Sequence, residues 1–149
     1  MAANARSTAS LISGMNRIVV LDACVLIENL REDKFRDRIF ALSGRIRHCS
    51  VVLAELSRGA RTATDFRWMR SSEKKNRLLT PTEKNWMESG EVLAQLRADH
   101  GFEPHKLRDL HFDVLIALTA RSHGATLITS NRADFELIRS CRDFNLEVW

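Results

Sequence analysis

The chain has 149 residues, 44% hydrophobic and 28% charged. That suits one soluble globular domain with a real core and excludes a disordered chain. No apolar run is long enough to cross a bilayer. Three cysteines, Cys24, Cys49 and Cys141, are odd in number and form no C-x-x-C pair, which predicts a reducing, cytoplasmic setting without structural disulfides. The formal charge is +4, yet Ser57 to Arg77 holds seven basic residues against two acidic ones, a local +5.

Residues 1–16 lack acids and show no helical or strand period, so they read as a flexible N-terminal tail ahead of a single domain over 17–149. A mitochondrial presequence also fits this composition, and Met15 offers an alternative natural start. Arg17 to Leu21 is a short apolar run with two valines, as in a strand buried on both faces, and it ends on Asp22. Ala23 to Leu30 reads as a helix, Arg31 to Lys34 as a charged turn, and Phe35 to Leu42 as a short helix ended by Gly44. Ile46 to Val52 is expected as a second strand. A helix follows from Leu53 toward Arg61, then a basic helix from about Thr64 to Arg77.

Leu78-Leu79 suggests a short third strand. Thr80-Pro81-Thr82-Glu83 predicts a helix start with Thr80 as N-cap and Glu83 in the capping-box position, running to Gly101. Pro104 to Arg108 reads as a basic loop. Leu110 to His123 is the most apolar helix, closed by Gly124. Ala125 to Thr129 is another buried strand, Asn131 to Arg139 a short helix, and Leu146 to Trp149 a last strand. This alternation predicts an α/β fold, a three-layer α/β/α sandwich around a mostly parallel sheet.

Four acids stand within or beside apolar segments: Asp22, Glu55, Asp113 and Asp134, the last three residues after Asn131. A carboxylate in such a setting is costly unless paired. Each has an ordinary reading. Asp22 could cap the next helix, Glu55 could face solvent on a first turn, Asp113 could pair with Arg108, and Asp134 could be a turn residue. If they converge, they require raised pKa values or a cation, and an all-oxygen set favours Mg²⁺ or Mn²⁺ over zinc. The basic segment, with Arg58, Arg61, Arg67 and Arg70 around Phe66 and Trp68, suits a polyanion such as RNA or else a solvated helical face. Other chemistries fit poorly. His111 and His123 are twelve apart, which gives no evident acid–base pair, and there is no P-loop or G-x-G-x-x-G.

Val20 to Ile27, Ser50 to Leu56, His111 to Ala120 and Ala125 to Phe135 resemble, in order and spacing, the four motifs of PIN-domain ribonucleases. The compact size is most similar to VapC-type toxins of toxin–antitoxin pairs. The resemblance runs from about Arg17 to the C-terminus. It implies metal-binding and catalytic roles for Asp22, Glu55 and Asp113, with Asn131 and Asp134 as further metal-site residues. It implies a Mg²⁺- or Mn²⁺-dependent endoribonuclease that leaves a 3′-hydroxyl and a 5′-phosphate, a VapB-like antitoxin partner and a homodimer. Arg58, one turn after Glu55, is then a candidate phosphate contact. Two positions depart from the family pattern: Cys24 stands where relatives commonly carry Asn or Ser, and Asn131 is neutral. A non-catalytic RNA-binding or scaffold domain is the alternative on the same fold.

Overall fold

The computed structural model describes residues 16–75 and 77–149. The tail expected over 1–16 lies outside the described residues except for Asn16. Four strands form one all-parallel sheet in the order β2-β1-β3-β4: β1 is Ile18–Leu21, β2 Arg45–Ile46, β3 Thr126–Thr129 and β4 Asn145–Val148. Val19, Val20, Leu127 and Ile128 have no exposed surface. Burial of each such side chain contributes roughly 1.5–3 kcal/mol, which is why these apolar runs settle as the two central strands. The chain leaves β1 toward β2 on one side and returns as β3 on the other. The switch point of the sheet therefore lies between β1 and β3, the crevice where open α/β sheets bind their ligands.

The helices are α1 Ala23–Glu32, α2 Arg36–Ala41, α3 Ser50–Gly59, α4 Ala63–Lys75, α5 Glu83–His100, α6 Pro104–Ser122 and α7 Arg132–Cys141. One group is built from α1, α3 and α4, a second from α5, α6 and α7, and α3 also meets α6. Together with the sheet they give the α/β/α arrangement expected from the alternation of elements. Helix α6 carries the centre of the second group: Val114 to Ala120 are all buried.

Several expected boundaries shift. The second strand does not run over Ile46 to Val52. It stops at Ile46, and Ser50 already opens α3. A short apolar run fits a buried helix face as well as a strand, and here Val51, Val52, Leu53 and Leu56 are the buried face of α3. In place of a third strand at Leu78-Leu79, a single parallel bridge joins Cys49 and Leu79.

Helix α5 starts two residues later than Thr80 would set it. Thr82 is the N-cap, reciprocally bonded to Asn85 at 3.1 and 3.0 Å. Asn85 is buried and donates to Ser122 Oγ at 2.9 Å, so a tie to α6 selects that cap. Pro104 to Arg108 is not a loop but the first turn of α6, with Pro104 where its missing N–H costs nothing. The charged turn after α1 is shorter than expected, because the helix continues to Glu32 and is capped by Asp33 in the left-handed region. Gly44 does not end α2. At φ +127° it lets β2 enter beside Arg17, whose carbonyl oxygen would lie 2.6 Å from any Cβ there.

Candidate metal centre

Asp22 stands where β1 ends, and its backbone N–H still donates to Ile128 O at 2.9 Å as the last rung of the β1–β3 ladder. It is also the N-cap of α1: Oδ1 accepts from Ala23 N at 2.8 Å. The capping and site readings thus hold for the same residue. Oδ2 accepts from Thr129 Oγ1 at 2.8 Å and from Cys24 Sγ at 3.0 Å. Thr129 in turn receives Asn131 N at 3.0 Å. With Asp22 only 4% exposed, these donors fix its carboxylate in one orientation at the carboxyl end of the sheet.

Glu55 arrives from α3, and because that helix begins at Ser50, it lies in the second turn rather than the first. Asp113 arrives from the middle of α6. The contact between α3 and α6 brings both against Asp22. One carboxylate oxygen from each of the three lies within 4.8 Å of the others. Their charges oppose one another. Burial, then Asp22 and to a lesser degree Glu55 and Asp134, push the Asp113 carboxyl up to about 8 against the opposing pull of Lys106. Burial and then Asp22 push Glu55 up to about 7, with Arg58 opposing. Among the described residues, no ion pair links Arg108 to Asp113.

This donor set fits a hard divalent cation. All three donors are oxygens, and burial and then the neighbouring carboxylates raise the pKa values of two of them. Asp22, Glu55 and Asp113 are the residues that would hold such an ion, each with one carboxylate oxygen.

Asn131 and Asp134 lie beside this trio and bond to each other. Asn131 caps α7 by accepting from Asp134 N at 3.4 Å, and its Nδ2 donates to Asp134 Oδ2 at 3.0 Å. Lys106 Nζ lies 2.9 Å from Asp134 Oδ1. Burial raises the Asp134 pKa, but hydrogen bonds from Asn131 and Lys106 outweigh it and leave the group below the usual carboxylate range.

Arg58 is exposed, stacks over the Phe112 ring at 5.7 Å and acts on Glu55, so it borders the acids. Arg61, Arg67 and Arg70 are exposed on and before α4, and among the described residues no carboxylate pairs with them. All three cysteines are free thiols.

The PIN-domain sequence pattern matches residues 19–139. The chain belongs to the PIN-domain family. The family segment contains Asp22, Glu55 and Asp113 as well as Asn131 and Asp134. The fold is similar to that of VapBC2 from Rickettsia felis, a structure with a DNA fragment from its promoter. There the identity is 22% and the TM-score 0.66 over 89% of this chain and 98% of that one. It is also similar to DNA-bound VapBC from Salmonella typhimurium, at 24% identity and a TM-score of 0.64 over 91% and 99% of the two chains. No curated protein matches the sequence. Among the described residues, no helix is long and apolar enough to cross a membrane.

Two contributors escape a reading of the sequence alone. Thr129, inside an apolar strand, shows its role only through the β1–β3 pairing that sets it against Asp22. Lys106 is hidden because its segment reads as a loop, and a loop assigns it no direction.

Proposed function

We propose that this PIN-domain chain is a divalent-metal-dependent endoribonuclease and the toxin of a type II toxin–antitoxin pair. The observation that carries this reading is the convergence of Asp22, Glu55 and Asp113 at the sheet's switch point. Three carboxylates come from three separate elements, burial and then mutual repulsion raise two of their pKa values, and a bound cation would relieve both. Mg²⁺ or Mn²⁺ bound there supplies Lewis-acid polarisation of the phosphate and acidifies a water for attack.

The chain's own residues do the rest. Asp22, locked by Thr129, Cys24 and Ala23, is the fixed ligand. Asp113 is the second. Glu55, half-buried and titrating near neutrality, either completes the ligand set or takes the proton of the attacking water. The water oxygen forms a bond to phosphorus as the bond to the 3′ oxygen breaks, leaving a 3′-hydroxyl and a 5′-phosphate. Arg58 at the rim, followed by Arg61, Arg67 and Arg70, holds the neighbouring phosphates of the RNA.

A VapB-like antitoxin is the proposed protein partner, supported by the likeness of the fold to VapBC chains. An apolar groove of about 270 Å³ between α1, α3 and α4, lined among others by Ile27, Leu30, Leu56, Trp68 and Met69, suits an apolar strip of such a partner. A homodimer belongs to the same proposal; Phe40, 79% exposed on α2, is a candidate contact.

The test uses the partner-free chain, structured RNA and Mn²⁺, with and without chelator, beside Asp22→Asn. Cleavage by the wild type only, abolished by chelator, supports the proposal. Cleavage that survives both chelator and substitution contradicts it.

A further inference from the structure

One cation is already built into the rim of the centre. Lys106 lies in the first turn of α6, a turn without any acid. An ammonium there opposes the positive end of the helix dipole, so helix formation does not explain it. Its side chain is 35% exposed, and its Nζ reaches Asp134 Oδ1 at 2.9 Å. The other oxygen of Asp134 is taken by Asn131. Asn131 also donates its backbone N–H to Thr129 Oγ1, which bonds Asp22, so Asp134 is tied to the fixed acid of the trio. Lys106 and Asp113 stand seven residues apart on one face of α6, which sets the lysine beside the fourth acid and on the helix face of one of the three.

We infer that Lys106 occupies the second-cation position of this centre: the chain holds one divalent ion among Asp22, Glu55 and Asp113, and the Lys106 ammonium, seated on Asp134, meets the RNA phosphate beside it. This inference rests on the nuclease reading above. Charge supports it. Three ionised carboxylates with one divalent ion leave a net −1, to which the Asp134–Lys106 pair adds nothing. Without the lysine the same centre stands at −2 and repels the phosphodiester. An ammonium has three donors, and one serves Asp134, so two remain for phosphate oxygens on its exposed side. The role is electrostatic: the Lys106 side chain stabilises charge on the transferred phosphoryl oxygens, the part that a second ion plays in two-metal sites.

The test measures Mn²⁺ stoichiometry by titration calorimetry at pH 8, beside single-turnover RNA cleavage. It compares the wild type, Lys106→Arg, Lys106→Met, Asp134→Asn and the Lys106→Met/Asp134→Asn double variant, with folding checked by metal-free thermal melts. The wild type is expected to bind one Mn²⁺. Lys106→Met gains a second, weaker Mn²⁺ on the freed Asp134, and the double variant loses it again. At Mn²⁺ concentrations that fill only the first position, Lys106→Met cleaves on the order of 10²-fold more slowly, while Lys106→Arg retains most of the rate. Asp134→Asn is expected to bind one Mn²⁺ as the wild type does, because the position among Asp22, Glu55 and Asp113 is intact.

Two Mn²⁺ ions bound by the wild type, or a Lys106→Met variant equal to it in both stoichiometry and rate, would overturn this inference alone. So would an Asp134→Asn variant that binds no Mn²⁺. A wild type that neither binds Mn²⁺ nor cleaves RNA overturns the nuclease reading and this inference with it.

Discussion

Asp22 and Thr129 are joined by a 2.8 Å hydrogen bond from the threonine hydroxyl to the carboxylate, across the boundary between β1 and β3. The bond links the ends of the two central strands at the switch point. It also orients the carboxylate of the N-cap residue, since Oδ1 serves the helix while Oδ2 is aimed by Thr129 and Cys24. Outer partners of this kind set ligand orientation and basicity.

Thr129→Val keeps the shape of the side chain but removes that donor. Loss of an outer partner typically weakens a metal about 10–100-fold, and that range is expected for Mn²⁺ affinity measured by calorimetry. Cys24→Ser, which keeps a donor of similar size, is expected to bind Mn²⁺ within about threefold of the wild type. A larger loss would mean that the thiol makes a contribution a hydroxyl cannot replace.

The three acids are expected to oppose folding when no metal is present. Asp113→Asn removes one charge from the cluster, so at pH 8 the metal-free variant melts higher than the wild type, by about 2–4 °C for each kcal/mol gained. The same substitution removes the Mn²⁺-induced rise in melting temperature and the RNA cleavage. A metal-free variant that melts lower at pH 8 would show that Asp113 makes favourable interactions which outweigh its repulsion.

The pH dependence follows from the same two residues. Asp113 and Glu55 have folded-state pKa values of about 8 and about 7, above their ordinary values of 3.8 and 4.5. Between these limits the folded chain binds more protons than the unfolded one. Metal-free stability therefore falls as pH rises from about 4 to about 8 through these two groups. Because the cation competes with the same protons, Mn²⁺ affinity rises over the upper part of that window. Melting curves at pH 5.5, 7 and 8.5, each with and without Mn²⁺, are expected to show a metal-induced increment that grows with pH. An increment that is flat with pH would argue against carboxylate ligands that titrate near neutrality.

The basic residues on and before α4 are expected to act on RNA affinity rather than on the chemical step. Combined Arg61→Gln, Arg67→Gln and Arg70→Gln weakens RNA binding and lowers the slope of log K against log salt by about two, at roughly 0.7 for each phosphate no longer neutralised. The single-turnover rate at saturating RNA is expected to stay near the wild-type value. An unchanged salt slope would assign these arginines to the solvated surface.

Much of the centre is legible in the sequence because each acid interrupts an apolar segment. Asp22 closes a run of Ile18 to Leu21, and Asp113 sits ahead of Val114 to Ala120, where an unpaired charge has a cost that demands a reason. The parallel alternation of elements likewise sets β1 and β3 in one sheet. Less is legible where local pattern and tertiary packing compete. Val51 and Val52 fit a strand by residue type, but packing of α3 against its neighbours makes them helical, which moves Glu55 to the second turn. Thr80 is a competent cap, yet the Asn85–Ser122 bond selects Thr82. Lys106 reads as loop because basic residues surround it, and only the position of α7 places Asp134 within its reach.

The most direct test of the shared metal site is an anomalous difference map from a crystal of this chain grown with Mn²⁺. The expected result is a peak at about 2.1 Å from carboxylate oxygens of Asp22 and Asp113, with Glu55 bound directly or through one water. A Mn²⁺ concentration that supports RNA cleavage, with no peak between these three residues, would contradict it.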